Sequence, residues 1–476
     1  MIAGWVRRVG GGAGPPPFLG HTRAPGPAGP YGALLASERV TNFSAFMASS
    51  ALAVPAPKDS IRLVILASFI GTTVEWYDFF LYGTAAAFVF NKLFFPTLSP
   101  LAGTLGAYAT FAVGFVARPV GGAVFGHYGD RLGRKTMLVW SLLIMGIGTA
   151  LIGLLPTYAT IGVWAPAVLV VLRFAQGVGI GGEWGGAVLM AVEHSRGGKR
   201  GLHGSWPQMG VPAGLLLSTG VYALVSSRLP EAEFLAWGWR VPFILSVALV
   251  GVGLFVRLRL LETPAFTQLK TERLIAPAPL LTVFREHPRE ILVGIGMRFG
   301  QNVLFYIFTV FVLSYGQTTL GYSRSTMLGG VATAATVGLF TIPFWGALSD
   351  RVGRRPVYLA GAVLSLLYSI PFFSLLGLGP GFVPIALVIG VNFGQDSMYG
   401  PQAAYFAELF GARVRYSGAS LVYQLSSVFS GGLAPFIATV LLARYGAVAV
   451  GGYMAASCAL TVVATVLAPE TRHTEV

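Results

Sequence analysis

From residue 61 onward the chain alternates between long apolar stretches and short polar connections. The apolar stretches are continuous and do not alternate residue by residue, which predicts helices and not barrel strands. About twelve are long enough to cross a bilayer, at roughly 20 residues each. The predicted spans are 61–90, 101–126, 136–155, 161–190, 203–226 and 239–258, then 291–316, 325–347, 356–378, 381–409, 416–442 and 446–468. Two regions break the pattern. Residues 1–57 include the Gly- and Pro-rich run Gly10–Pro30 and are expected to be a disordered segment, with translation starting as late as Met47. Residues 257–290, with Pro264, Pro277, Pro279 and Pro288 among charges, form the longest polar connection. The expected organisation is a lobe at 58–256, a linker at 257–290, a second lobe at 291–468 and a tail at 469–476.

One polar connection occurs twice. Gly126-His-Tyr-Gly-Asp-Arg-Leu-Gly-Arg-Lys135 recurs as Gly346-Ala-Leu-Ser-Asp-Arg-Val-Gly-Arg-Arg355. Further echoes follow: Glu193 and Arg200 match Glu408 and Arg415, and Gln176-Gly177 matches Gln395-Asp396. A charged turn duplicated half a chain apart predicts two related six-helix lobes, joined about an axis along the membrane normal. The fold class is therefore all-α integral membrane, with twelve transmembrane helices in two pseudo-symmetric lobes.

Composition agrees with a bilayer as solvent. The chain is 54% hydrophobic and 11% charged, with a mean hydropathy of +0.70, whereas soluble domains carry roughly a quarter charged residues. The net charge of +14 is read by its location. Most Lys and Arg residues fall in one set of connections, which includes both repeat turns, 191–202, 257–290 and 410–415, and few fall in the alternate loops. That asymmetry places both termini in the cytoplasm and makes the charge a topology signal, with no nucleic-acid partner implied. The single cysteine, Cys458, reads as core packing.

The residues from Met47 onward resemble the major facilitator superfamily and, within it, the metabolite:proton symporter branch. The resemblance is carried by Glu75-Trp-Tyr-Asp-Phe-Phe, Arg118-Pro-Val-Gly-Gly, the two Asp-Arg-x-Gly-Arg turns, Arg173-Phe-Ala-Gln-Gly, Gly181-Gly-Glu-Trp-Gly-Gly, Trp237-Gly-Trp-Arg-Val-Pro-Phe and Glu262-Thr-Pro. It implies a bacterial inner-membrane, monomeric carrier of compounds such as shikimate, α-ketoglutarate, citrate, proline or betaines. Stretches 97–115 and 416–438 are most similar to shikimate-type members.

An ionisable side chain at the bilayer centre costs about 2.5–3.5 kcal/mol by insertion scales, so each one is a functional candidate. Glu75 and Asp78, three apart, share a helix face. With Arg173 as a partner that comes and goes, they form the candidate proton-coupling set; a static buried ion pair is the competing reading. The corresponding place in the second half, Asn392-Phe-Gly-Gln, has no cation. Arg298, Gln301 and Tyr306 are candidates for holding a carboxylate, since Arg offers a bidentate fork. Alternatively Arg298 snorkels to headgroups. Tyr77, Trp184 and Asp396 are further substrate-binding candidates. Arg118, before Pro119, reads as gate architecture, and Glu183 as its possible partner. Asp130, Arg131, Arg134 and Glu193 in the first half, with Asp350, Arg351, Arg354 and Glu408 in the second, form a candidate cytoplasmic gate. There the aspartates accept from helix N-terminal amides and the arginines bond carboxylates.

Gly177-x-Gly-x-x-Gly182 matches the dinucleotide fingerprint, but no strand precedes it, so it reads as close helix packing. No phosphate loop and no metal spacing occur, so no cofactor is expected beyond the proton gradient. The sequence thus predicts a proton-coupled importer of a small organic acid or zwitterion, not an enzyme. The alternatives are a proton-coupled exporter of drug-like compounds, whose helix 5 signature Gly210-Val-Pro-Ala-Gly214 only partly resembles, and an uncoupled facilitator.

Overall fold

A computed structural model describes residues 61–132, 134–181, 188, 191–192, 195, 198–259, 285–410 and 415–474. Their secondary structure is helical, and they trace twelve rods. The first six are α1 (61–93), α2 (Pro100–Leu132), α3 (Arg134–Leu154), α4 (Trp164–Ile180), α5 (Arg200–Arg228) and α6 (231–259). The second six are α7 (Pro288–Thr318), α8 (Arg324–Val352), α9 (354–377), α10 (380–409), α11 (415–445) and α12 (Ala447–Leu467). Six helices are by themselves long and apolar enough to cross a membrane, and two bent pairs raise the number to eight. The rest are shorter, as Val139–Leu154 and Trp164–Ile180 are, or carry buried acids, as α1 and α10 do. Proposals for residues 1–60 and 260–284 lie outside the described residues.

Local sequence explains the irregularities. α6 bends by 43° at Trp239 and α9 by 55° before Pro371, where proline removes an amide donor from the helix ladder. Five short π-helical stretches occur, among them Ile307–Phe311 in α7, Ile389–Gln395 in α10 and Val428–Gly432 in α11. Such stretches mark functional positions more often than plain helix does. The second repeat turn is tighter than its charges suggest. Asp350 and Arg351 complete the last turn of α8, and only Gly353, at φ +120°, separates α8 from α9. A residue with a Cβ would be strained there.

The large apolar side chains Val116, Trp140, Ile147, Val171, Phe340, Phe344 and Val463 are exposed, as lipid contact requires. Inside the first lobe, the Gly177 stripe packs helix on helix. A Cβ on Gly177 would lie 2.1 Å from the Gly114 carbonyl oxygen, and one on Gly181 2.1 Å from that of Arg118. The lobes meet through an aromatic lattice. Phe79, Phe111 and Phe115 surround Tyr306 with ring centroids at 5.8, 5.9 and 5.1 Å. Trp76 and Phe80 meet Phe305 at 6.3 and 5.6 Å. Edge-to-face pairs of this kind are worth about 0.5–1.5 kcal/mol each beyond their burial.

Candidate functional site

Three arginines are buried at the lobe interface around this lattice: Arg118 of α2, Arg173 of α4 and Arg298 of α7, each no more than 2% exposed. Aromatic faces stand in for much of their lost water, at about 2 kcal/mol for a desolvated stack. Arg118 lies 4.3 Å from the Phe115 ring centroid and 4.7 Å from that of Phe79. Arg173 lies 4.2 Å from Tyr82 and 4.7 Å from Phe79, flat against α2 because Gly114 has no side chain there. Arg298 sits 3.3 Å from the Tyr423 ring centroid. Its guanidinium donates to Gln402 Oε1 at 2.7 Å and to Ser427 Oγ at 3.4 Å. Arg298 therefore points into the protein and does not snorkel. Phe79 and Phe115, which face Arg118, and Phe79 and Phe111, which face Arg173, all pack on Tyr306, and Arg298 lies about two turns before Tyr306 on α7.

Two of the proton-coupling candidates, Asp78 and Arg173, are near one another without pairing. Asp78 is 2% exposed, and its Oδ1 has no hydrogen-bond partner among the described residues. Thr149 of α3 adjoins its carboxyl, and Arg173 and Glu75 both act on it electrostatically. No ion pair within 4 Å joins Asp78 to Arg173. Arg173 instead donates to Gln176 Oε1 at 3.3 Å, and Gln176 donates to Thr149 at 2.7 Å. Glu75 turns towards the lobe interface.

Among the described residues two small cavities lie between the lobes, each of about 20 Å³ and thus room for about one water. Glu75, Trp76, Arg118, Gln208, Tyr423 and Gln424 line one. Arg118 is therefore a cavity-lining residue, where the sequence suggested gate architecture. Asp396 lines the other with Phe305, Thr309, Gly338 and Gln395, and Tyr399 lines both. Asp396 accepts from Thr341 at 2.6 Å and from Asn392 at 2.8 Å. Gln301 is buried and accepts from Gln402 at 3.4 Å. Tyr77 faces elsewhere: its hydroxyl donates to the Pro242 carbonyl at 2.7 Å, tying α1 to α6, and it lines neither cavity. Trp184, Glu183 and Glu193, and the side chains of Asp130, Arg131 and Arg134, lie outside the described residues.

Ion pairs and hydrogen bonds among the described residues bridge the lobes at both ends of the interface. At the end bearing the repeat turns, Asp350 accepts from the amides of Gly201 and Leu202 at 2.8 and 2.9 Å, capping the start of α5 in the other lobe. Arg354 pairs with Asp350 at 2.7 Å and grips Glu408 with two bonds of 3.2 Å. Arg200 reaches Glu408 across the interface at 3.6 Å. The Arg351 side chain is exposed, and its carbonyl accepts from Arg472. The tail joins this cluster: Glu470 accepts from the amides of Arg354 and Arg355, and Thr471 donates to Glu408. Burial opposes ionisation of Glu470, but these amides outweigh it and hold the carboxyl below its ordinary range. At the opposite end Arg324 of α8 pairs with Glu231 of α6 at 3.0 Å, and Lys92 of α1 shares that carboxylate at 3.1 Å.

Sequence reasoning missed Gln208, Gln402, Tyr423, Gln424 and Ser427, which are uncharged and so did not stand out beside the ionisable residues. It also missed Glu231, Arg324 and Glu470, whose partners are remote in sequence. The only available signal was that Gln402, like Asp396, belongs to a polar run unusual for a predicted span.

Residues 80–435 match the model of the Major Facilitator Superfamily. The chain is 44% identical over 423 residues to the inner membrane metabolite transport protein YhjE of Escherichia coli K12, covering 88% of this chain and 96% of that protein. It is 42% identical to the shikimate transporter of the same organism, over 87% and 95% of the two chains. The E. coli proline/betaine transporter is 36% identical over 80% and 78%. The solved D-xylose–proton symporter superposes with a TM-score of 0.67 at 18% identity, covering 87% of this chain and 99% of that one.

Proposed function

The chain belongs to the Major Facilitator Superfamily, and from that premise we propose that this multi-pass membrane transporter imports a small organic acid or zwitterion together with a proton. A shikimate-like acid or a dicarboxylate is the favoured cargo. The observation that carries this reading is the set of three buried arginines, Arg118, Arg173 and Arg298, grouped around Tyr306 at the lobe interface. Burying three cations costs about 2.5–3.5 kcal/mol each by insertion scales. An anionic ligand shared between the lobes supplies a reason to retain them, through charge-assisted and bidentate hydrogen bonds. The relatives named for shikimate and for metabolite transport support the same class.

Proton coupling is assigned to Asp78 and Glu75 with Arg173. In this closed arrangement Asp78 and Arg173 are held apart, each with a buried polar atom unsatisfied. A reorientation of the Arg173 side chain within the first lobe that brings it onto Asp78 ties proton release to cargo release. The repeat-turn end faces the cytoplasm, as the distribution of Lys and Arg indicates, and the Asp350–Arg354–Glu408 cluster is its gate. The sites alternate in access as the two ends open in turn.

The test is uptake by the full chain in proteoliposomes of labelled shikimate, α-ketoglutarate, citrate, proline and betaine, with and without an inward proton gradient. Gradient-stimulated uptake of one of them, abolished by Arg298→Gln, is expected. Uptake indifferent to the gradient would make the protein a facilitator, and uptake of none would favour the exporter.

A further inference from the structure

The Asp396 cavity differs chemically from the arginine cluster beside it. It is formed between the lobes by α5, α7, α8 and α10, with walls that include Pro212, Phe305, Phe308 and Gly338. Asp396 brings the one carboxylate to that wall. No Lys, Arg or His lies within ion-pair distance of it among the described residues, whereas Asp350, Glu408 and Glu231 each have a cation. Thr341 and Asn392 both donate to Oδ2, which fixes the plane of the carboxyl. A carboxylate offers roughly four acceptor positions, so two bonds to one oxygen leave capacity on the other. Oδ1 is not among the sealed, unpartnered atoms of the interior. Tyr399 forms a wall of this cavity and also of the one that Arg118 lines, and its side chain lies within the Tyr423–Arg298 cluster. The two cavities are thus neighbours at one interface: Arg118, Glu75, Gln208 and Gln424 line one, with the Arg298–Tyr423 stack beside it, and Asp396 is the charged group of the other.

We propose that Asp396 is a specificity-determining residue: it selects cargo carrying a hydrogen-bond donor, a hydroxyl or an N–H ammonium, at the end opposite its carboxylate. The inference rests on the reading of the chain as a carrier of acids or zwitterions, and it specifies what the far end of that cargo must be. With the arginines on the carboxylate and Asp396 on the donor, a plain monocarboxylate satisfies one pole only. A second carboxylate would meet the Asp396 carboxyl with like charge, so this assignment narrows the favoured cargo to hydroxy acids and N–H zwitterions, ahead of dicarboxylates. At about 20 Å³ apiece the cavities admit cargo only when the lobes part and Tyr399 moves aside.

The experiment uses the purified full chain and two matched pairs of probes. Shikimate is compared with cyclohex-1-ene-1-carboxylate, which lacks its hydroxyls, and 4-aminobutyrate with its N,N,N-trimethyl form, which lacks its N–H. Affinities are measured by calorimetric competition for wild type, Asp396→Asn and Thr341→Val. In the pair that binds, wild type favours the donor-bearing member by at least about tenfold, as a hydrogen bond to a charged group implies. Asp396→Asn brings the ratio close to one by weakening the donor-bearing member alone. Thr341→Val, which removes the α8–α10 tie but keeps the carboxylate, retains the preference. An unchanged ratio in Asp396→Asn would overturn the assignment. So would equal loss in Thr341→Val, which would make Asp396 a structural tie. Binding of α-ketoglutarate or citrate but of none of the four probes would overturn the assignment alone, and binding of none of the six would overturn the acid-or-zwitterion reading as well. Should Asp396→Asn fail to fold, Asp396→Glu moves the carboxyl by one methylene and serves the same comparison.

Discussion

Asp350→Asn is expected to loosen the repeat-turn end of the lobe interface. Asp350 gives each oxygen to an α5 amide, at 2.8 and 2.9 Å, and also pairs with Arg354 at 2.7 Å. An amide in its place keeps one acceptor and turns an NH₂ towards the second backbone donor. Hydrogen bonds to charged groups contribute about 1.5–3 kcal/mol each. One such bond is lost and the other weakened, and Arg354 keeps Glu408. The closed state of this end then loses about 2–4 kcal/mol, a shift of roughly 30- to 1,000-fold in its equilibrium with the open state. The assay is thiol labelling of a cysteine placed at Thr72, which lines the Arg118 cavity, in a Cys458→Ser background. Labelling by an impermeant reagent from the repeat-turn side should accelerate by at least tenfold. A rate within twofold of the parent would refute the claim that Asp350 holds the lobes together.

Other perturbations follow from the same geometry. Arg298→Lys keeps the charge but loses the planar stack on Tyr423 and the fork to Gln402 and Ser427. Cargo affinity should fall by about 10- to 100-fold with folding intact, read by calorimetry and thermal unfolding. Gly177→Ala places a Cβ 2.1 Å from a carbonyl oxygen of α2, and the melting temperature should drop, in line with an overpacking cost of about 1–3 kcal/mol. Despite burial, Glu470 has its folded carboxyl held below its ordinary value of 4.5 by the backbone amides that it accepts from. Its anchoring of the tail is therefore fully present above that pH and lost as pH falls through the lower, folded value. Protease sensitivity of the tail should be flat from pH 8 to pH 5 and rise only below about pH 4.5, whereas Glu470→Gln should raise it throughout.

The helices were legible because apolar runs of bilayer length leave few alternatives, and most predicted ends fall within a few residues of the observed ones. The repeat turns were legible as a motif but not in shape. Asp350 and Arg351 belong to the helix, since a single left-handed glycine suffices to reverse the chain. Intramembrane charge located Arg118, Arg173, Arg298 and Asp396, because each is costly to bury without a partner. Facing was not legible. Tyr77 and Trp76 are adjacent, yet Tyr77 bonds α6 and Trp76 lines a cavity. In a helix that is apolar on every side, periodicity does not say which neighbour a side chain meets. The ion pair Glu231–Arg324 and the Glu470 cap join residues 93 and more than 100 positions apart, a distance over which one sequence carries no pairing signal.

The measurement that bears most directly on the central claim separates proton coupling from cargo exchange. Wild type and Asp78→Asn are reconstituted, and two rates are taken for the transported acid: accumulation driven by an inward proton gradient, and counterflow at equal pH on both sides. The account predicts that Asp78→Asn loses accumulation and keeps counterflow, because the arginine site and both gates are intact. Gradient-driven accumulation at the wild-type level in Asp78→Asn would contradict it.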